Sequence, residues 1–156
     1  YKDGYYHVRR RCRTVTVEED RIISCWQPLE GVEVETTLIP FGSGHIRRHV
    51  ITAAADCVAV EGGFALPVDE PTEAICVEKQ GYAKVCSSKG ASCISLRQGE
   101  GDGKVILCEA NVNLVHPRTM LPYLSYRFNK GVTVVEVYVE GTAAAREHSL
   151  LPQNKK

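Results

Sequence analysis

The sequence predicts an all-β protein, an antiparallel two-sheet β-sandwich of roughly ten strands. Three observations lead to this fold class: apolar and polar residues alternate with period two, β-branched residues are frequent, and glycine-containing turns recur at short intervals. Hydrophobic residues make up 44% of the chain and charged residues 24%, which is typical of a folded domain. A chain of 156 residues can hold a core without disulfides or a metal.

The first half of the chain divides into strands at residues that favour turns. Glu19-Asp20, Glu30-Gly31 and Gly42-Ser43-Gly44 supply three of these turns. Gly62-Gly63 lies inside a predicted strand, which indicates a bulge or a close approach of another backbone. The strands predicted here are 6–17, 21–27, 32–39, 45–53 and 57–66.

The second half follows the same pattern, with predicted strands at 73–79, 82–87, 92–98, 104–109, 120–128 and 132–140. Residues 99–103 resemble a phosphate loop, but a strand-like run follows them, so we interpret them as a flexible hairpin. Residues 111–119 are predicted to form a structured loop that serves internal hydrogen bonding, contact with another domain, or ligand binding. Residues 1–141 therefore form a single domain, and 142–156 a tail that is either a short helix or disordered.

Charge and hydropathy exclude two classes of partner. The 19 basic and 19 acidic residues balance, which disfavours a general attraction to nucleic acid or to an anionic membrane. The longest apolar runs are far shorter than the ~20 residues of a membrane helix. The densest positive cluster, residues 9–13, is followed by acidic residues, so we expect Arg–Glu pairing across strands. No nucleic-acid or membrane partner is predicted.

Seven cysteines lie mostly within apolar segments, with no Cys-x-x-Cys pair. This spacing argues against a zinc site and favours buried free thiols, with one or more disulfides as the alternative. The odd number and irregular spacing favour a reducing, cytoplasmic compartment. The chain begins at Tyr1, so it is compatible with a fragment of a longer protein, and a missing signal peptide carries no information.

His45 and His49 form a His-x-x-x-His pattern on a predicted strand. Four residues of strand span about 13 Å, too far for both rings to bind one metal ion. We predict no metal and no cofactor. His45, Arg47 and His49 share one face of that strand, which fits a ligand groove, a contact with another domain, or solvated surface.

Nothing in the sequence assigns catalysis to a residue. It contains no Gly-x-Ser-x-Gly elbow and no recognisable Cys/His arrangement. The carboxylate pair of a glycosidase can be identified only from a three-dimensional separation. We therefore predict no catalytic residue.

Several short motifs together resemble one family. They are Cys25-Trp26-Gln27-Pro28-Leu29, Val32-Glu33-Val34-Glu35-Thr36, Leu38-Ile39-Pro40, His45-Ile46-Arg47-Arg48-His49, Glu61-Gly62-Gly63-Phe64-Ala65, and Asn113-Leu114 with Pro117-Arg118-Thr119. In order and spacing they are similar to the C-terminal part of the family called domain of unknown function twenty-two sixty-four, over about residues 6–141. The chain has Thr37 where the pattern is associated with Trp, so an aromatic contact is not expected there.

The resemblance implies a context that the residues alone do not. Members of this family look like glycoside hydrolases with an N-terminal α/α-toroid and a C-terminal β-sandwich, acting on glycans that contain uronic acids. The catalytic groups are expected on the toroid, which this chain lacks. We therefore expect a chain that is not catalytic alone, within a parent protein that is a glycoside hydrolase.

The expected role is an accessory domain that packs on the upstream toroid of the same protein. The candidates for the interdomain or ligand-contact surface are Arg47, His49, Asn113, His116 and Arg118. A free-standing carbohydrate-binding module is the alternative, and it requires Trp26 to be an exposed, flat platform. A compact enzyme using His45, His49 and His116 requires those three side chains to converge in one pocket.

Overall fold

The computed structural model describes residues 12–101 and 105–143, and its elements are β-strands and one short 3-10 turn at Pro71–Glu73. The strands are β1 Cys12–Val17, β2 Ile22–Leu29, β3 Val32–Phe41, β4 Gly44–Ala53, β5 Cys57–Gly62, β6 Leu66–Pro67, β7 Ile75–Lys79, β8 Tyr82–Ser87, β9 Gly90–Gly101, β10 Val105–His116, β11 Thr119–Phe128 and β12 Gly131–Ala143.

The strands form two antiparallel sheets of unequal width. The large sheet has eight strands in the order β1-β2-β3-β4-β12-β9-β8-β7. The small sheet has the order β10-β11-β5, and β6 also pairs with β11. The predicted fold class, an all-β two-sheet sandwich, is confirmed.

The core lies where the inward residues of β12 meet those of β11. Val135, Val137 and Val139 alternate along β12 and are fully buried. Leu124 and Phe128 alternate along β11 and face them within the same cluster. Period-two alternation on both strands thus places one apolar face of each sheet against the other.

The small sheet covers only part of the large one. Strands β10 and β11 pack over β7, β8 and β9, at one side of the large sheet. Strand β5 is the edge of the small sheet, whereas the large sheet continues beyond β4 into β3, β2 and β1. The inner face of β2 and β3 therefore lines an open cleft.

The predictions of a loop at 111–119 and of a hairpin at 99–103 are wrong. The segment predicted as a loop at 111–119 continues β10 as far as His116, and only Pro117-Arg118 forms the turn, with Arg118 at φ 68°. Residues 99–103 do not connect a hairpin, because β9 pairs with β8 and β12 while β10 pairs with β11. Strand β9 belongs to the large sheet and β10 to the small one, and this assignment depends on strands far along the chain. Residues 102–104, between the two strands, lie outside the described part.

Other boundaries shift by a few residues. The predicted strand 57–66 divides into β5 and β6, because Gly63 turns to donate its N–H to the carbonyl of Pro122. Strand β12 runs to Ala143, so Thr142 and Ala143, predicted in the tail, pair with Ala91 and Gly90. Residues 6–11 and 144–156, which include the rest of the predicted tail, lie outside the described residues.

Side-chain chemistry agrees in part with the predictions. Arg13 reaches across β2 to Glu33 at 3.0 Å, so one predicted Arg–Glu pair is confirmed, while Arg9 to Arg11 are not described. The five cysteines with described side chains are free thiols; Cys93 is buried, Cys76 is exposed, and the others are half-buried. Across residues 12–101 and 105–143 no helix is long and apolar enough to span a bilayer.

Candidate functional site

The main cleft lies between the inner face of β2, β3 and β4 and the edge strand β5, with β11 at its floor. Its volume is about 810 Å³. Most lining side chains are apolar, and the polar ones gather toward one end. The polar and charged members are Ser24, Thr36, His45, Arg47, His49 and Glu61, with Trp26 and Tyr126 beside them.

Glu61 on β5 joins the two sheets across this cleft. Its Oε1 accepts a hydrogen bond from Arg47 Nη1 at 3.2 Å and lies 3.1 Å from His49 Nε2. Arg47 Nη1 also donates to the carbonyl oxygen of Gly62 at 2.7 Å. The side chains of Glu61 and His49 are only 10% and 11% exposed. We call Glu61, Arg47 and His49 the clamp, because β4 belongs to the large sheet and β5 to the small one.

A chain of hydrogen bonds extends from the clamp to the only tryptophan. Trp26 Nε1 donates to Thr36 Oγ1 at 3.1 Å, and Thr36 Oγ1 lies 2.8 Å from His49 Nδ1. The carboxylate of Glu61 can only accept, so His49 Nε2 carries a proton. In the neutral ring, Nδ1 then accepts from the Thr36 hydroxyl. Every buried polar group along this chain thus has a partner.

The clamp keeps Glu61 ionised. Burial alone would raise the pKa of Glu61, but the hydrogen bond and charge of His49, with those of Arg47, outweigh it and hold the pKa below its ordinary value. A carboxylate in this state is an anion that anchors two N–H donors, one on Arg47 and one on His49. It is poorly suited to donate a proton near neutral pH.

His45 lies at the mouth of the cleft, two residues before Arg47. Arg47 Nε donates to His45 Nε2 at 2.9 Å, and the His45 ring packs edge-on against Phe64 with centroids 5.5 Å apart. Burial and the charge of Arg47 lower the pKa of His45, so its ring is neutral at pH 7. Because Nε2 accepts from Arg47, the ring proton lies on Nδ1.

The structure separates the five predicted contact residues into two groups. Arg47 and His49 line the cleft. Asn113 lies opposite Leu121 on the outer face of the small sheet, and His116 and Arg118 lie at the exposed β10–β11 turn. Arg118 precedes Leu124, the residue that pairs with Glu61, by six positions, or about 20 Å along a strand. His116, at the same turn as Arg118, is therefore too far from Glu61 to share a pocket with His45 and His49.

Sequence reasoning missed the central residue, Glu61. Its signal was present, because Cys57, Ala59 and Glu61 alternate on the inward face of β5, where a carboxylate is unexpected. The neighbouring glycines were identified for the right reason. A Cβ on Gly63 would lie 3.1 Å from Pro122 Cγ, and one on Gly62 would lie 3.0 Å from Leu121 Cδ2. Both of these atoms belong to side chains, and the predicted approach of another backbone is confirmed only at Gly63, whose N–H donates to the carbonyl oxygen of Pro122 at 2.8 Å.

The chemistry available in this cleft is limited. Among the described residues that line it, Glu61 is the only carboxylate. In the part of the chain that the structure describes, no group of three or more His, Cys, Asp or Glu side chains could hold a metal. Trp26 is half-buried, packs against the core and uses its N–H on Thr36, so it is not an exposed platform.

Comparison with known proteins identifies the family of this chain. A family model described as the DUF2264 C-terminal domain matches residues 2–155, nearly the whole chain. No curated protein matches the sequence. The match agrees with the resemblance found in the order of the short motifs.

Proposed function

The chain belongs to the DUF2264 family, as its C-terminal domain, and from that premise we propose that it is a non-catalytic accessory domain of a glycoside hydrolase. It packs on a helical catalytic domain of the same protein. The assignment to glycoside hydrolases rests on the family resemblance, and the accessory role rests on the geometry of the cleft.

The observation that supports the accessory role is that the Glu61 carboxyl group is held in its ionised form. Glycoside hydrolysis usually requires two carboxyl groups, one of them able to donate a proton. The described cleft lining offers one carboxylate, and Arg47 and His49 hold it as an anion through the same oxygen atom. That arrangement stabilises the fold at the open side of the sandwich and leaves no acid–base pair.

The surface proposed to meet the helical domain is the outer face of the small sheet. Val58 and Val60 are 60% and 68% exposed on β5, although alternation places apolar residues at a solvent-facing position. Val60 lines a depression of about 470 Å³ together with Asn111 and Tyr123, and Asn113 follows along β10. Because β5 is an edge strand, Val58 and Val60 also border the main cleft. We call Val58, Val60, Asn111, Asn113 and Tyr123 the outer patch. His116 and Arg118 extend it at the turn.

One experiment tests both parts of the proposal. The chain is produced alone and as a separate partner of the region that precedes it in its parent protein, and both are assayed on aryl glycosides, including glucuronides. We expect hydrolysis only with the upstream region, and we expect the two pieces to co-elute. Val60→Glu should weaken their association at least tenfold, because it buries an unpaired charge.

Val17→Glu is the matched control, since Val17 is 74% exposed on another edge strand. It should leave the association unchanged. Hydrolysis by the isolated chain would overturn the accessory role. If both variants bound the upstream region equally well, the assignment of the outer patch as the contact surface would be wrong.

The alternative, a free-standing carbohydrate-binding module, gains no specific support. The required platform would be Trp26, and that ring is packed and hydrogen-bonded within the cleft. Binding of a soluble uronic-acid oligosaccharide to the isolated chain, measured by calorimetry, would favour this alternative.

A further inference from the structure

The cleft has features of a ligand site of its own. We propose that it binds an amphipathic carboxylate, with an apolar chain or aryl body between β3 and β5 and its carboxylate at His45 and Arg47. This inference does not depend on the accessory role or on the outer patch.

The polarity of the cleft changes in one direction along its length. On β4 the inward residues run from His45, Arg47 and His49 to Ile51. On β3 the apolar Leu38 lies opposite Arg47, and the inward residues then run from Thr36 to Val34 and Val32. On β5 they run from Glu61 to Ala59 and Cys57. Strands β4 and β5 thus share one gradient, which β3 follows from Thr36 onward, and His45 to Ile51 spans about 20 Å. A ligand that follows this gradient has a polar end and an apolar body.

The polar end has two N–H donors without a described acceptor. Arg47 uses Nε on His45 and Nη1 on Glu61 and Gly62, so its Nη2 has no hydrogen-bond partner among the residues that the structure describes. His45 Nδ1 carries a proton and likewise has no described partner. The Arg47 side chain is 22% exposed, so these donors are accessible from the mouth. Two such donors match a carboxylate, which accepts through both oxygens.

The apolar end argues against a sugar as the whole ligand. Val32, Val34, Ile51, Cys57 and Phe128 line it, and none of their side chains can satisfy a row of hydroxyl groups. Burying hydroxyl groups there without hydrogen-bond partners is unfavourable. A volume of about 810 Å³ bounded mainly by such residues is of the size and character of pockets for small apolar molecules.

The molecule carries a reporter for this test. Trp26 is the only tryptophan, and it lines the cleft beside the polar end. The full chain is titrated with sodium decanoate below its micelle concentration while Trp26 emission is followed. Decylammonium and glucuronate are titrated in parallel. We expect a saturable change with decanoate, at least tenfold weaker binding of decylammonium, and no response to glucuronate.

Two variants locate the site. Arg47→Gln should weaken decanoate binding about tenfold, the size expected for one charge-assisted contact. Arg48→Gln is the matched control, because Arg48 lies on the opposite face of β4 near Glu136 and should bind within twofold of the parent chain. A second variant, Ala59→Leu, fills the apolar end and leaves the clamp side chains in place, so it should weaken decanoate binding at least tenfold. It tests the site independently of Arg47→Gln, whose stability the clamp could affect.

Three results would overturn the proposal. Binding of decylammonium as tightly as decanoate would show a detergent-like effect without a carboxylate site. A response to glucuronate alone would assign the polar end to a sugar. No saturable response to decanoate in the folded chain would show that the cleft is not a site for such ligands.

Discussion

At the scale of single residues, Glu61 determines how the open side of the sandwich is held. Removing a carboxylate from water is unfavourable, and the cost is offset only when each oxygen has good partners. Arg47 and His49 reach the same oxygen from the facing strand, and Tyr126 Oη lies 3.5 Å from the other. The clamp therefore holds the edge strand β5 against the large sheet, at the side where the small sheet ends and supplies no further apolar contacts.

Replacing the clamp carboxylate should destabilise the fold. We expect Glu61→Gln to lower the free energy of unfolding by about 3 kcal/mol, because it leaves two buried donors facing a neutral group. Urea denaturation followed by circular dichroism measures this. Glu33→Gln is the matched control: Glu33 pairs with Arg13 at a side chain that is 60% exposed, and its loss should cost under about 0.5 kcal/mol.

The same variant should change the dependence of stability on pH. The pKa of Glu61 is lowered in the fold, so its contribution is present above the unfolded pKa and is lost as pH falls through the folded one. The parent chain should lose stability on acidification below about pH 4.5, and Glu61→Gln should show a flatter profile there. Equal acid sensitivity in both proteins would contradict the role given to Glu61.

At the scale of elements, the pairing of β4 with β12 leaves no room for a side chain where β4 begins. Gly44 lies opposite Glu140, and a Cβ on Gly44 would clash with the carbonyl oxygen of Val139. Neither backbone can yield there without disturbing a ladder that continues to Ala53 and Gly131. Glycine at this position allows the central strands to pair along their whole length.

Gly44→Ala should therefore be destabilising. We expect a loss of about 1–3 kcal/mol, the range for steric overpacking, or failure to fold. Thr52→Ala is the matched control on the same strand, because Thr52 is exposed and its truncation should stay within about 0.5 kcal/mol. Thermal melts of both variants make the comparison. If Gly44→Ala were as stable as Thr52→Ala, the backbones of β4 and β12 would be able to move apart and accept the added Cβ, which would contradict this account.

At the scale of the whole molecule, the sequence predicted the class of fold better than its connections. Alternation along β3, β4 and β12 was sufficient to place their inward faces, since local pattern and burial agree. It did not show that β9 and β10 belong to different sheets, because strand pairing is decided by partners far along the chain. The width of the small sheet, and hence the cleft, depends on the same long-range pairing.

The site shows the same limit. Arg47 and His49 share a face with His45 on local grounds, and the cleft brings all three together. Asn113, His116 and Arg118 were grouped with them only by chemical type, and the length of β10 carries these residues to another surface. Alternation along β5 marks Glu61 as an inward carboxylate, but its partners lie on a strand of the other sheet, and no local pattern in β5 identifies them.

The most direct test of the account is the pKa of the Glu61 carboxyl in the folded chain. It can be followed by carbon-13 NMR of labelled glutamate side chains, with Glu61→Gln used for assignment. A carboxylate held by Arg47 and His49 should titrate below the ordinary value of 4.5. A pKa near 6 or above, as in a carboxylic acid that donates protons in catalysis, would contradict the clamp and the non-catalytic role together.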